Sequence, residues 1–86
     1  MNEYVYRIDP QPQYFEDLNR KLNRWKYPVE NEAINALDKA CVELSLEFKR
    51  ETKNKCPVFL NTKDGGEIAR VVSERGPAWS KQGQAT

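Results

Sequence analysis

The residues available for chemistry are acids, bases, tyrosines and two cysteines, because the 86-residue chain contains no histidine. Without histidine, the usual proton carrier near neutral pH is missing, and a serine or cysteine nucleophile lacks its common base. Cys41 and Cys56 cannot complete an ordinary zinc site by themselves. The 13 acidic residues are spread along the chain, and no spacing forces two carboxylates together. The sequence therefore predicts a protein that is not an enzyme and that holds no metal or cofactor.

Two glycines after an aspartate raise the question of a phosphate-binding loop. Asp64-Gly65-Gly66 lacks the lysine and threonine of such a loop and also the glycine spacing of a dinucleotide site. Glycine adopts positive φ angles without steric cost, so the segment predicts a plain turn.

A basic run, KRETKNK at residues 49–55, is the other segment that could contact phosphates. Basic side chains are also favoured in the last turns of a helix, and this is the interpretation that the pattern favours. Trp25 continues a helical apolar stripe and is expected in the core. Trp79 follows Gly-Pro-Ala near the C-terminus, where an interface anchor is expected, since tryptophan is enriched at binding hot spots.

The net charge of +1 hides an asymmetry along the chain. Residues 1–48 carry six basic and nine acidic side chains, which gives −3, and residues 49–86 carry eight and four, which gives +4. Opposite charge in the two halves suits head-to-tail packing of identical copies. It does not suit a sequence-specific nucleic-acid binder, whose domain is usually basic throughout. No apolar run approaches the length of a membrane helix, so a soluble protein made in a cytoplasm is expected.

Apolar spacing predicts two helices in the first two thirds of the chain. After a strand at residues 3–8, a stripe of apolar residues indicates a helix over 13–25. A second helix is predicted over 29–54 and would be about 39 Å long at 1.5 Å per residue. Pro57 is expected to end it. A helix of this length would project from so small a domain or rest on a neighbouring subunit.

The remainder predicts a small hairpin. Residues 58–60 indicate a strand, residues 63–66 a turn, and residues 67–73 a return strand, with a helix capped by Asp64 as the alternative. The predicted class is α+β in the order β-α-α-β-β, with a long central helix packed on a short antiparallel sheet. The expected organisation is one domain over 1–76 and a flexible C-terminal tail over 77–86.

This order resembles the N-terminal part of the head–tail joining and tail-completion proteins of long-tailed bacteriophages. Lys55-Cys56-Pro57-Val58 is similar to the end of that family's long helix, and Gly66, Ile68 and Arg70 are similar to the segment that follows. The resemblance covers about residues 4–72. It implies a structural protein of the virion, assembled in the bacterial cytoplasm. Copies would form a ring with other neck or tail proteins, and the genome would pass through the lumen.

Two other functions are compatible with the pattern. One is a small phage or mobile-element inhibitor that binds a host protein. The other is a ribosome-dependent ribonuclease toxin, which has a similar order of elements and would use Arg70 and Arg75 with Tyr4 or Tyr6, although only two later strands are predicted. The residues expected at an interface are basic or apolar and lie in the second helix or after it: Trp79, Arg70, Arg75, Val42, Leu46, Lys49, Arg50, Lys53 and Lys55.

Overall fold

The structure, a computed structural model, describes residues 4–75 and confirms the predicted α+β class with an antiparallel sheet. The sheet has five strands in the order β2-β1-β5-β4-β3, and all neighbouring strands are antiparallel. The elements in chain order are β1 (Tyr4–Pro10), α1 (Pro12–Lys21), β2 (Lys26–Tyr27), α2 (Glu30–Glu43), β3 (Phe48–Lys53), β4 (Cys56–Asn61) and β5 (Glu67–Arg75). The predicted tail over 77–86 lies outside the described residues.

Helix α1 is shorter than the sequence predicts. Pro12 occupies the first turn, where its fixed φ suits the helix and its missing N–H is not needed. The helix ends at Lys21, and the backbone N–H of Leu22 donates to the carbonyl of Leu18 at 2.8 Å. Trp25 therefore lies beyond the helix, where it packs against the core, and its ring stacks on that of Phe15 with centroids 5.4 Å apart.

Helix α2 ends at Glu43, and the predicted helix over 29–54 is wrong in its second half. Ser45 adopts a left-handed conformation with φ of 62°, which turns the chain away from the helix axis. The N–H of Ser45 donates to the carbonyl of Val42, and that of Leu46 donates to the carbonyl of Cys41, both at 3.0 Å. These bonds satisfy the last helical carbonyls. The 14-residue helix is about 21 Å long and does not project from the domain.

A β-hairpin occupies the place of the predicted helix end. Asn54 and Lys55 have φ of 51° and 65°, and this pair of left-handed residues forms the two-residue turn between β3 and β4. Pro57 lies within β4 opposite Thr52 and does not end a helix. The basic run at residues 49–55 is therefore a strand and a turn.

The second hairpin was predicted correctly. Gly65 has φ of 75°, and the N–H of Gly66 donates to Oδ1 of Asp64 at 2.8 Å, which closes the turn. The segment after it is strand β5 and not a helix. Ile68 is an extra residue in β5 between the partners of Phe59 and Leu60, so the strand bulges there.

Both helices cover one face of the sheet. Ile8, Phe59 and Val71 point to this face and pack in one buried cluster with Leu18 and Leu37. Because successive residues of a strand point to opposite faces, the register assigns the other residues to a second face. We call this the helix-free face, and its members on the four long strands are Val5, Arg7, Asp9, Lys49, Glu51, Lys53, Cys56, Val58, Leu60, Glu67, Arg70, Val72 and Glu74.

The two halves of the sequence are not two ends of the molecule. Strand β1, from the acidic half, pairs along its whole length with β5, from the basic half. Arg7 and Glu74 form an ion pair across these strands at 3.2 Å. Residues from the acidic half and from the basic half of the sequence therefore lie side by side in one sheet, and head-to-tail packing of copies stays a prediction.

Candidate interaction surface

Strand β3 forms an open edge of the sheet. It pairs with β4 on one side and with no strand among residues 4–75 on the other. Phe48 is half-buried, and the other five residues of the strand are exposed. The opposite edge is β2, which has only two residues. An exposed edge strand offers its unpaired N–H and C=O groups to another strand, so β3 is the main candidate for an interaction by strand addition.

The hairpin geometry determines which backbone groups of β3 are available. Residues that flank a two-residue turn form a hydrogen-bonded pair, and such pairs recur at every second residue. Lys53 flanks the turn opposite Cys56. The carbonyl of Glu47, six residues earlier, accepts from the N–H of Thr62 at 2.9 Å, as this pattern requires. Odd-numbered residues therefore direct their backbone groups to β4, and Phe48, Arg50 and Thr52 direct theirs outward.

Charge alternates along the side of β3 that belongs to the helix-free face. Lys49, Glu51 and Lys53 lie on this face in succession, and Nζ of Lys49 is 3.1 Å from Oε2 of Glu51. Arg50 points to the helix-covered face. The edge therefore presents opposite charges at fixed spacing on one face and a single cation on the other.

The centre of the helix-free face is apolar and is flanked by charged side chains. Val58 is fully buried there and lies between Glu51 of β3 and Arg70 of β5. Leu60 is 7% exposed and lies between Lys49 and Glu67. The aliphatic stems of long charged side chains can cover apolar surface in such a row.

Arg70 and Glu67 form the best-defined ion pair on this face. The guanidinium donates from Nε at 2.8 Å and from an Nη at 2.7 Å to the two carboxylate oxygens. These hydrogen bonds hold the pKa of Glu67 below its ordinary value, against an opposing effect of burial. They also raise the pKa of Arg70. Both groups are charged and mutually satisfied, so this pair orders the strand.

The predicted interface residues are only partly brought together. Lys49, Arg50 and Lys53 lie on β3, and Lys55 lies in the turn at its end, so these four share one edge. Trp79 lies outside the described residues.

The remaining predicted interface residues are dispersed. Val42 is 61% exposed on the outer side of α2, whereas Leu46 packs against the core. Arg70 lies at the centre of the helix-free face. Arg75 lies at the end of β5, where its guanidinium is 5.7 Å from the ring centroid of Tyr4.

The residues assigned to a ribonuclease alternative are also separated. Arg70 and Arg75 are five positions apart on β5, so they point to opposite faces. Arg75 shares its face with Tyr4 and Tyr6, because Tyr4 lies opposite Arg75 and Tyr6 lies opposite Ser73. Arg75 and the two tyrosines are thus grouped at one end of the sheet, and Arg70 is not part of that group.

The two thiols differ in environment. Cys41 is fully buried, and burial raises the pKa of its thiol to about 12, with a smaller contribution from Asp38. A thiol with so high a pKa is a poor nucleophile near neutral pH. Cys56 is half-buried in β4. Among residues 4–75, no three His, Cys, Asp or Glu side chains are grouped so that they could hold a metal ion.

Sequence reasoning missed Phe48, Glu47 and Glu51 as edge residues because it placed them in a helix. The available signal was the alternation of Leu46 and Phe48 with charged residues, which has the period of a strand. The asparagine of Asn54-Lys55 was a second signal, since asparagine tolerates the left-handed region better than most residues.

No helix in the described part of the chain is long and apolar enough to cross a membrane. Comparison of the chain with protein-family models, with curated proteins and with solved structures finds no match.

Proposed function

We propose that this chain is a non-catalytic assembly protein, and that copies of it associate through the open edge formed by β3. The observation that carries the proposal is the outward direction of the backbone groups of Phe48, Arg50 and Thr52 on a six-residue strand that has no outer neighbour among residues 4–75. Main-chain hydrogen bonds at such an edge supply affinity without a pocket, and side chains on the two faces supply specificity.

The state of the ionisable groups supports a non-catalytic role. Arg70 and Glu67 neutralise each other, and Arg7 lies 3.2 Å from Glu74 and 3.6 Å from Asp9. The Cys41 thiol is buried, and its pKa is raised to about 12. A catalytic acid or base usually needs a pKa near the working pH, and neither the raised pKa of Cys41 nor the lowered pKa of Glu67 moves toward that range.

The role of a ring that joins phage head and tail stays a prediction from the family resemblance. Residues 55–58, which were compared with a helix end, lie in the turn and the first part of β4. The proposal of self-assembly therefore rests on the strand edge and not on the helix end.

Removal of one outward N–H tests the proposal. Arg50→Pro deletes a donor that faces away from β4, whereas Arg50→Gln loses the same charge and keeps the donor. We expect the wild-type protein and Arg50→Gln to grow in size with concentration by sedimentation velocity, and Arg50→Pro to stay monomeric with an unchanged circular-dichroism spectrum. A wild-type protein that is monomeric at every concentration overturns the proposal, as does an Arg50→Pro variant that assembles normally.

A 1:1 complex with a host protein and no self-assembly would instead support the inhibitor.

A ribonuclease toxin is a second candidate, and one observation favours it. Three strands follow α2, where the sequence predicted two, and they bring Arg75 beside Tyr4. Induced expression in a bacterium tests it. Growth arrest that Arg75→Ala relieves would support this function, whereas normal growth at high expression would exclude it.

A further inference from the structure

We propose that two copies of this chain pair their β3 strands antiparallel about a two-fold axis at Arg50, in the one register that places opposite charges together at all four of residues 47, 49, 51 and 53. The inference rests on the proposed function and names the partner and the alignment. Pairing of two such strands would join the sheets of the two copies into one continuous sheet.

The outward direction of the backbone groups of β3 allows only a few alignments between the β3 strands of two copies. Hydrogen bonds between copies must join Phe48, Arg50 and Thr52 of one strand to the same set in the other, because the odd-numbered residues already bond to β4. A register centred on Arg50 uses all three, with Phe48 opposite Thr52 and Arg50 opposite its own copy. Side chains on the helix-free face then meet as non-hydrogen-bonded pairs, in which opposing side chains lie closest.

Charge distinguishes this register from slips that move its centre by one residue. With Arg50 at the centre, Lys49 lies opposite Glu51, and Glu47 lies opposite Lys53, each pair occurring twice. A shift of the centre to residue 49 places Glu47 opposite Glu51, and a shift to residue 51 places Lys49 opposite Lys53. Like charges directly opposite each other destabilise a strand pair, so these slips are disfavoured.

A centre at Thr52 is disfavoured for two reasons. Although it keeps Glu51 opposite Lys53, it places Lys49 opposite Lys55 of the other copy, and it shifts the pairing to the turn, where Asn54 and Lys55 have positive φ. A centre at Phe48 places Glu47 opposite Lys49 but shifts the pairing in the other direction, toward Ser45, which also has positive φ. Charged edges usually prevent pairing between sheets, and here the charge alternation together with the positive φ angles at the two ends of β3 leaves one pairing open.

One pair of like charges remains in the proposed register. Arg50 meets Arg50 at the two-fold axis, on the helix-covered face. Because this contact is repulsive, we expect Arg50→Thr to tighten the dimer several-fold, since a threonine pair is favourable across strands. Tightening on loss of a basic side chain is opposite to the result expected if β3 bound an acidic partner.

Charge reversal with mixing tests the register. In the proposed dimer, residue 49 of each copy faces residue 51 of the other, so this pair occurs twice. Lys49→Glu alone makes both pairs acidic, with glutamate opposite glutamate. Glu51→Lys alone makes both pairs basic, with lysine opposite lysine. Each single variant should therefore weaken its own dimer roughly ten- to hundred-fold. An equimolar mixture of the two restores opposite charges at both pairs, and a heterodimer should form. The double variant Lys49→Glu with Glu51→Lys should dimerise like the wild type.

Matched controls change the same net charge elsewhere. Lys63 lies in the β4–β5 turn, and Glu16 lies on the exposed side of α1. The variants Lys63→Glu and Glu16→Lys should therefore dimerise like the wild type. Circular dichroism of each variant checks that the monomer is folded. The inference is overturned if the single variants dimerise like the wild type, or if their mixture is no heavier than each alone. If the charge variants give such a result but Arg50→Pro still prevents assembly, the register is wrong and the proposed function stands. A wild-type protein that is always monomeric overturns the register and the proposed function together.

Discussion

The two ends of the sheet are built differently. At the β1 and β5 end, both helices lie against the strands, and Ile8 and Val71 are 1% exposed. At the β3 end, five of six residues are exposed, β4 is the only strand paired with the edge among residues 4–75, and Phe48 is the one residue of β3 that packs against the core. If copies assemble through β3 as proposed, stability and interaction are separated in this domain. The helix-covered part holds most of the buried core, whereas most side chains of β3 are exposed.

Truncation of a core side chain should give the largest effect and sharpen this contrast. Leu37 in α2 is fully buried, and Leu37→Ala should lower the free energy of unfolding by about 2–5 kcal/mol. Val42 on the same helix is 61% exposed, and Val42→Ala should change it by less than about 0.5 kcal/mol. Urea unfolding at a protein concentration that keeps the chain monomeric measures both. Equal losses in the two variants would contradict the assigned core.

The Arg70–Glu67 pair should give an intermediate effect that depends on pH. Because the pKa of Glu67 is lower in the folded protein than its ordinary value near 4.5, its contribution is present above that value. The contribution is lost as the pH falls from about 4.5 through the folded pKa. Glu67→Gln should lower the free energy of unfolding at pH 7 by about 1 kcal/mol, since the pair is partly exposed.

The pH profile of that variant provides the decisive readout. Between about pH 5 and pH 3, a range that spans the ordinary pKa of a glutamate, the free energy of unfolding should fall less for Glu67→Gln than for the wild type. Glu16→Gln removes the same charge from an exposed position of α1 and serves as the matched control, which should change the free energy of unfolding at pH 7 by less than about 0.5 kcal/mol. Identical profiles for the wild type and Glu67→Gln would show that the pair does not couple folding to protonation.

The β3–β4 turn should give the smallest effect. Lys55 has φ of 65°, a conformation that costs residues other than glycine about 1–2 kcal/mol. Lys55→Gly should therefore raise the free energy of unfolding by about 0.5–1 kcal/mol, after the larger chain entropy of glycine is subtracted. Lys53→Gly, inside the strand, should lower it. Thermal unfolding distinguishes the two, and destabilisation by Lys55→Gly would contradict the left-handed turn.

The part of the fold that the sequence predicted depends on clear local signals. Strands β1, β4 and β5 follow from β-branched residues, and the turn at residues 63–66 follows from Gly65 and Gly66. The class and the antiparallel hairpin were correct for these reasons. Strand β2 was missed because two residues give no periodicity.

The part that the sequence did not predict lies between residues 44 and 55. Leu44 and Phe48 are four apart and continue the stripe of α2, so the helical period persists where the strand begins. The chain leaves the helix at Ser45, which takes a conformation more typical of glycine, and the turn at Asn54 and Lys55 also lacks glycine. The candidate surface was therefore identified by its basic residues and assigned to the wrong element.

Amide hydrogen exchange on β3 tests the central claim most directly. In a dilute monomer, the N–H groups of Lys49 and Glu51 should be protected by their bonds to β4, and those of Arg50 and Thr52 should exchange rapidly. At concentrations where sedimentation shows assembly, we expect the Arg50 and Thr52 amides to become protected as well. If the protein assembles while these two amides continue to exchange at the monomer rate, the contact lies elsewhere and β3 is not the assembly edge.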